Sequence, residues 1–192
     1  MTDLEPLILA DAHAWRRWLD ANEDVSDGVW LVLAKKGFTE PTSLRYAQAL
    51  EEALCSGWID GQKKARDRAT HLQRFTPRRK TSLWSQRNVG IVGRLAEEGR
   101  MRPRGQAEID RARADGRWDR AYAGPATAEV PPELVAAFEA DPALAATFAG
   151  ANATNRFAVI HRIVTAPNEA TRARRVERLI AMLARGAYPH PQ

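Results

Sequence analysis

The sequence predicts an α+β fold, with a small, largely antiparallel sheet packed with helices in the N-terminal part and an all-helical C-terminal part. Three observations carry that class. Runs of strand length fall early in the chain, at Val29–Ala34, Trp58–Lys63 and His71–Thr76. The segments joining them hold too little helix for a doubly wound parallel sheet. From Ser82 onward apolar residues recur at helical spacing only. The organisation that follows is an α+β domain over residues 1–122, a linker over 123–132 and a helical region over 133–192.

Asp11 is an N-cap for a first helix running to about Asn22, with Trp15, Trp18 and Leu19 at i, i+3 and i+4. The turn signal Ser26-Asp27-Gly28 releases Val29–Ala34, whose unbroken apolar character predicts a central strand covered on both faces. Pro41-Thr42-Ser43 opens a second helix, which aligns Ala47, Leu50 and Leu54 and stops at Gly57. Trp58–Lys63 reads as a strand despite Gly61, which marks a bulge or a close backbone approach. In extended chain Trp58, Asp60 and Gln62 share one face. His71–Thr76 is the next strand, ended by Pro77, and the polar Lys64–Thr70 segment makes the two a hairpin.

The helices of the second half follow from the same signals. Asn88 caps one that runs to Gly99, weakened by Gly90 and Gly93 by roughly 1 kcal/mol each relative to Ala. Pro103 starts another that ends near Gly116. Glu133–Phe148 and Asn152–Thr165 are helical. In Glu169–Arg185 the residues Val176, Leu179, Ile180 and Leu183 fall at i, i+3, i+4 and i+7, and Gly186 supplies the stop.

Bulk composition excludes several classes. A chain of 192 residues with 44% hydrophobic and 28% charged content is ordinary for a soluble globular protein. The start carries acids where a secretion signal needs positive charge, and no apolar run reaches the ~20 residues that cross a bilayer. The single cysteine forms no internal disulfide, which fits a cytoplasmic protein. The four histidines lie in no metal-ligand spacing, and no nucleophile elbow, phosphate loop or dinucleotide fingerprint occurs. No cofactor or metal is expected, and no catalytic residue is assigned.

Charge is distributed unevenly. Between Gly61 and Arg94 ten basic residues face one acid, Asp67, leaving 19 basic against 23 acidic residues elsewhere. Trp58 and Trp84 bracket that block. A local basic surface with aromatic edges fits an anionic partner. The candidate ligand-binding residues are Lys35, Trp58, Asp60, Lys63, Arg74, Arg78, Arg79 and Trp84. Guanidinium forks at Arg74, Arg78 and Arg79 suit phosphate or carboxylate, and the indoles suit a ring or base. The competing reading makes Lys63–Arg68 a solvated loop and places both indoles in the core. Asp60 either pairs with a cation such as Arg74 or orients a ligand as an acid or base. Cys55, near a helix C-terminus without an activating base, reads as inert, and His71 as structural or acid–base.

Several of these segments, taken together, carry a resemblance. Ala34-Lys35-Lys36-Gly37, Ala53-Leu54-Cys55 running into Gly57-Trp58-Ile59-Asp60-Gly61, Arg74-Phe75-Thr76-Pro77-Arg78-Arg79 and Ser82-Leu83-Trp84-Ser85 resemble the YdeI/OmpD-associated family, small bacterial proteins also labelled bacteriocin-protection proteins. Gly99-Arg100-Met101 and Thr171-Arg172-Ala173-Arg174-Arg175 are similar as well. The chain departs from the family at Arg45, where a Thr cap is common, and at Ala170, where a Glu is common. The resemblance implies protection against bacteriocins or cationic peptides and names no reaction. A concentrated positive surface repels a cationic peptide, so protection through this block is indirect. Three functions stand: stress protection through a small anionic ligand, nucleic-acid binding through the same block, and an enzyme on a small anionic metabolite. Oligomeric state is unspecified by the sequence.

Overall fold

The computed structural model describes residues 5–191; the first four residues of the acidic start lie outside the described part. Packing divides the chain into two compact units, Met1–Ser82 with Asn88–Asp119 and Leu83–Arg87 with Arg120–Gln192. Among the described residues no helix is long and apolar enough to cross a membrane.

In the first unit α1 (Ala12–Asn22) starts where its cap predicts: the Asp11 carboxylate accepts the Ala14 amide at 2.8 Å. Its apolar face buries Trp15 and Leu19 completely. The strands β1 (Val29–Ala34), β2 (Trp58–Ala65) and β3 (Thr70–Pro77) form an antiparallel sheet in the order β1-β3-β2. The central strand is thus β3, and the expectation for Val29–Ala34 is corrected. That run is apolar because Leu31 to Ala34 are all buried and because Leu7 covers its free edge. The Leu7 amide donates to the Trp30 carbonyl at 2.8 Å, and the Val32 amide donates to the Leu7 carbonyl at 2.9 Å. Continuous hydrophobicity reported burial here and not position in the sheet.

The hairpin between β2 and β3 closes on Asp67. Its carboxylate accepts the Ala69 and Thr70 amides at 2.8 and 2.7 Å and the Thr70 hydroxyl at 2.8 Å. Gly61 marks a bulge. Asp60 faces Phe75 and Lys63 faces Gln73, so three steps on β2 oppose two on β3. The Gln73 amide fastens the bulge by donating to the Gly61 carbonyl at 2.9 Å and the Gln62 carbonyl at 3.2 Å.

The helix α2 (Tyr46–Cys55) begins later than Pro41–Ser43 suggested. Thr42 is occupied otherwise, donating its hydroxyl to the Leu9 carbonyl at 2.5 Å and accepting the Leu44 amide at 3.0 Å. Arg45 stands at the cap without a side-chain capping bond, and Gln48 compensates by accepting the Arg45 amide at 3.0 Å. The helix α3 (Gln86–Glu97) starts ahead of Asn88, which is buried inside it and does not cap it. Pro103 opens α4 (Pro103–Ala114) as expected.

The second unit holds α5 (Pro132–Ala140), α6 (Pro142–Gly150), α7 (Ala153–Val164) and α8 (Glu169–Ala184). The expected single helix over 133–148 is two helices, because Pro142 lacks the amide to continue and Asp141 caps the restart. The Asp141 carboxylate accepts the Ala143 and Leu144 amides at 3.0 and 3.2 Å. Leu134, Leu144, Phe148, Val159, Ile160, Ile163, Leu179 and Leu183 form the core. Each such side chain contributes about 1.5–3 kcal/mol on full burial. Helices are not the whole of the chain beyond Ser82: Ser85 bridges Tyr122 in parallel, with the Tyr122 amide donating to the Trp84 carbonyl at 3.0 Å.

His161 of α7 stacks edge-on against Tyr122, ring centres 4.6 Å apart. Burial, then the Arg175 charge, holds its imidazole below the ordinary 6.5. A lowered folded pKa stabilises above about pH 6.5 and loses that contribution as pH falls through the folded value. Calorimetric midpoints of the native protein are therefore expected to fall faster on acidification than those of His161→Gln. Parallel acid limbs in the two proteins would contradict this.

Candidate functional site

The pleat of the sheet sorts the eight candidate residues. Directly paired residues in an antiparallel sheet point to the same face. One face therefore carries Val29, Leu31 and Leu33 of β1, His71, Gln73 and Phe75 of β3, and Trp58, Asp60, Lys63 and Ala65 of β2. Lys35, one step beyond β1, continues that alternation, and its amide donates to the Ala69 carbonyl at 2.8 Å. The bulge at Gly61–Gln62 keeps Lys63 on this face with Asp60; without it Gln62 would stand there, as the sequence reading had it. Arg74, paired with Trp30, points to the opposite face. It cannot share a site with Lys35, Lys63 and Asp60.

The indoles are core. Trp58 is 0% exposed, edge-on to Trp15 and Trp18 with ring centres 6.3 and 5.9 Å away. Trp84 is 2% exposed and belongs to the second compact unit. Neither offers a ring face to a ligand, because stacking needs an accessible π surface. Arg78 is 6% exposed, and its amide donates to the Gly57 carbonyl at 3.0 Å. Arg79 is exposed, its amide held by the Ser82 hydroxyl at 2.9 Å.

Asp60 meets a phenol in place of the expected arginine: the Tyr46 hydroxyl donates to its Oδ2 at 2.7 Å. That bond ties α2 to β2 on the shared face. Farther along the block, Arg94 pairs with Glu98 at 2.6 Å and with Glu51. Arg100 pairs with Glu51 at 2.9 Å and Glu52 at 2.7 Å, and Arg102 with Asp20 at 3.0 Å and Glu52 at 3.3 Å. These pairs fasten α1 and α2 to the turn ahead of α4. Cys55 is buried, and burial, then the Glu52 charge, pushes its thiol up to about 11. It is not a nucleophile.

What remains basic and accessible is the far end of the sheet. Gly61 to Arg68 are all exposed, including Lys63, Lys64, Arg66 and Arg68, and Lys35 and Lys36 stand beside them. Lys35 donates to the Asp67 carbonyl at 2.6 Å, which draws it to the hairpin turn. Lys64 lies over the Trp30 ring at 4.4 Å on the opposite face. The residue the sequence reading did not place in the site is His71. It is 8% exposed, and burial, then Lys63 and Lys35, lowers its pKa from 6.5. Its position was readable once the register was known, since it alternates with Phe75 toward the same face.

The second unit contains a cleft of about 570 Å³, walled by Phe157, Ile160 and Val164 of α7 and by Tyr122, Arg120 and Arg172. Its size suits a small ligand. None of the eight candidates lines it, and Arg172 is engaged by Glu133 through two guanidinium nitrogens. Among the described residues no His, Cys, Asp or Glu cluster is arranged to hold a metal ion.

Comparison with known families divides the chain in a similar place. Residues 7–108 match the model of a domain of unknown function (DUF8412). Residues 127–186 match the model described as bacteriocin-protection, YdeI or OmpD-associated. The latter match contains Thr171–Arg175 and supports the YdeI/OmpD-associated resemblance, and the Trp58–Gly61 and Arg74–Arg79 segments lie in the former. No curated protein and no solved structure matches the chain.

Proposed function

The chain belongs to the DUF8412 domain family and carries a YdeI/OmpD-associated region, and from that premise we propose a bacterial stress-protection protein that works by binding an anion at the basic end of its sheet. One observation carries the reading. Lys35 and Lys63 flank His71 on a single sheet face, while Asp60 accepts from the Tyr46 hydroxyl and Asp67 from the amides of its own turn. Exposed Lys36, Lys64 and Arg68 extend the positive potential over the hairpin, where Arg66 lies 3.8 Å from the Asp67 carboxylate. A cationic peptide is repelled from such a surface, so the protective partner is the anion and not the peptide.

Titration with a labelled single-stranded oligonucleotide and with pyrophosphate tests this. Affinity is expected to fall with salt, and Lys63→Glu with Arg66→Glu and Arg68→Glu to weaken binding at least about tenfold. Each lost phosphate contact should flatten the logarithmic salt slope by about 0.7 for a single strand. Unchanged binding in a folded triple variant would sink the proposal. A surface that accepts nucleic acid but ignores pyrophosphate would assign the anion to a strand and not a metabolite.

A further inference from the structure

We propose that Lys35, His71 and Lys63 form a phosphoryl-binding row, in which one phosphate group is gripped between the two ammonium groups with the imidazole beneath it. The proposal rests on the anion-binding reading and names the group recognised. Its geometry follows from the register. His71 sits in the central strand, opposite Leu33 on one side and Ala65 on the other. Lys35 lies two positions beyond Leu33, toward the hairpin turn, and Lys63 two positions before Ala65, away from it. Both are diagonal neighbours of His71 on the same face, where β-carbons lie within about 7–8 Å. The two lysines stand on opposite sides of His71, and each long stem has to reach only from its own diagonal position back toward the imidazole.

Two further observations point to a missing partner. His71 is more than nine-tenths buried, and its Nδ1 has no hydrogen-bond partner. Buried polar atoms are nearly always satisfied, so an orphan nitrogen calls for a reason. The charges that act on the ring are also both cations, Lys63 and Lys35, with no carboxylate in the row. An imidazole buried between like charges is an unfavourable arrangement for folding alone, and such conflicts concentrate at functional sites. An anion resolves it by offsetting both ammonium charges at once.

The donor set selects the class. Compact ammonium groups act as point charges toward phosphate oxygens, whereas planar carboxylate recognition uses arginine forks. Arg74, which could supply a fork, is on the other face. A tetrahedral phosphoryl group, from a free phosphate ester or from a nucleic-acid backbone, has the oxygens to meet three donors.

Imidazole NMR signals of the full chain, assigned through His71→Gln, supply the test. Inorganic phosphate, a nucleoside monophosphate and a single-stranded oligonucleotide are titrated separately. A saturable shift of the His71 signal is expected, with affinity falling at least about tenfold in the exposed pair Lys35→Gln with Lys63→Gln. Response to phosphate and the nucleotide identifies a small ester as the source; response to the oligonucleotide alone identifies the strand backbone. A His71 signal that stays still, or drifts without saturating, overturns the row. Should the oligonucleotide then still bind through Arg66 and Arg68, the broader anion reading survives; should nothing bind, both fall.

Discussion

Trp58→Ala is expected to remove about 3–5 kcal/mol of stability, seen as a large drop in the chemical-denaturation midpoint. The indole fills the junction between sheet and helix. It is fully buried, edge-on to both Trp15 and Trp18, and its Nε1 donates to the Glu23 carbonyl at 3.4 Å. Trp15 in turn packs on Phe75 with ring centres 5.7 Å apart, so truncation loosens a four-ring cluster and leaves a cavity. Domains of this size are stable by about 5–15 kcal/mol, which makes the loss a large fraction of the total. The same residue was a ligand-stacking candidate on sequence grounds, and the experiment separates the two roles. A variant with native midpoint but no anion affinity would return Trp58 to the site. Loss of stability, with anion binding intact in a conservative Trp58→Phe protein, fits the packing seen here.

Local signals carried most of the fold. Asp11, Pro103 and the Val176–Leu183 spacing placed three helices, because caps and 3.6-residue periodicity act within a few residues of chain. The hairpin was equally legible from two strand-length runs around a polar turn. What failed depended on pairing across the chain. The order β1-β3-β2 follows from β1 pairing with β3 and not with β2, and no local pattern reports that β3 is the shared strand. Asp141-Pro142 did hold a signal, a cap followed by a helix-starting proline, and a two-helix reading was available from it. The site suffered most. Basic residues close in sequence were grouped by proximity, but alternation sends Arg74 to one face and Lys63 to the other, with the Gly61 bulge deciding the phase. His71 was weighed as structural or acid–base and left out of the ligand-binding set, because its two diagonal neighbours lie on different strands.

Gly105→Ala tests whether packing overrides propensity within one helix. An exposed mid-helix glycine costs roughly 1 kcal/mol relative to alanine, so on propensity alone the substitution should stabilise α4. Gly105 is where α4 crosses the end of α2. A β-carbon there would sit inside the van der Waals shell of the Cys55 carbonyl oxygen, 2.7 Å from the Cys55 carbonyl carbon and 2.9 Å from the Met101 methyl. Methionine can swing aside; the Cys55 backbone cannot. Its carbonyl accepts the Arg102 amide at 3.1 Å, and the adjoining Gly57 holds a left-handed turn at φ +69°. The helices must separate, exposing Leu54 and Ile109 and straining the Glu52 ion pairs with Arg100 and Arg102. Overpacking of this kind costs about 1–3 kcal/mol and more where backbone must move, so net destabilisation is expected. Gly90→Ala is the matched control: nothing lies within 4 Å of its added β-carbon, and it should stabilise α3 by up to about 1 kcal/mol. Urea midpoints shifted in opposite directions by the two alanines bear out a close α2–α4 crossing. A stabilised Gly105→Ala protein would mean that the helices do not approach this closely.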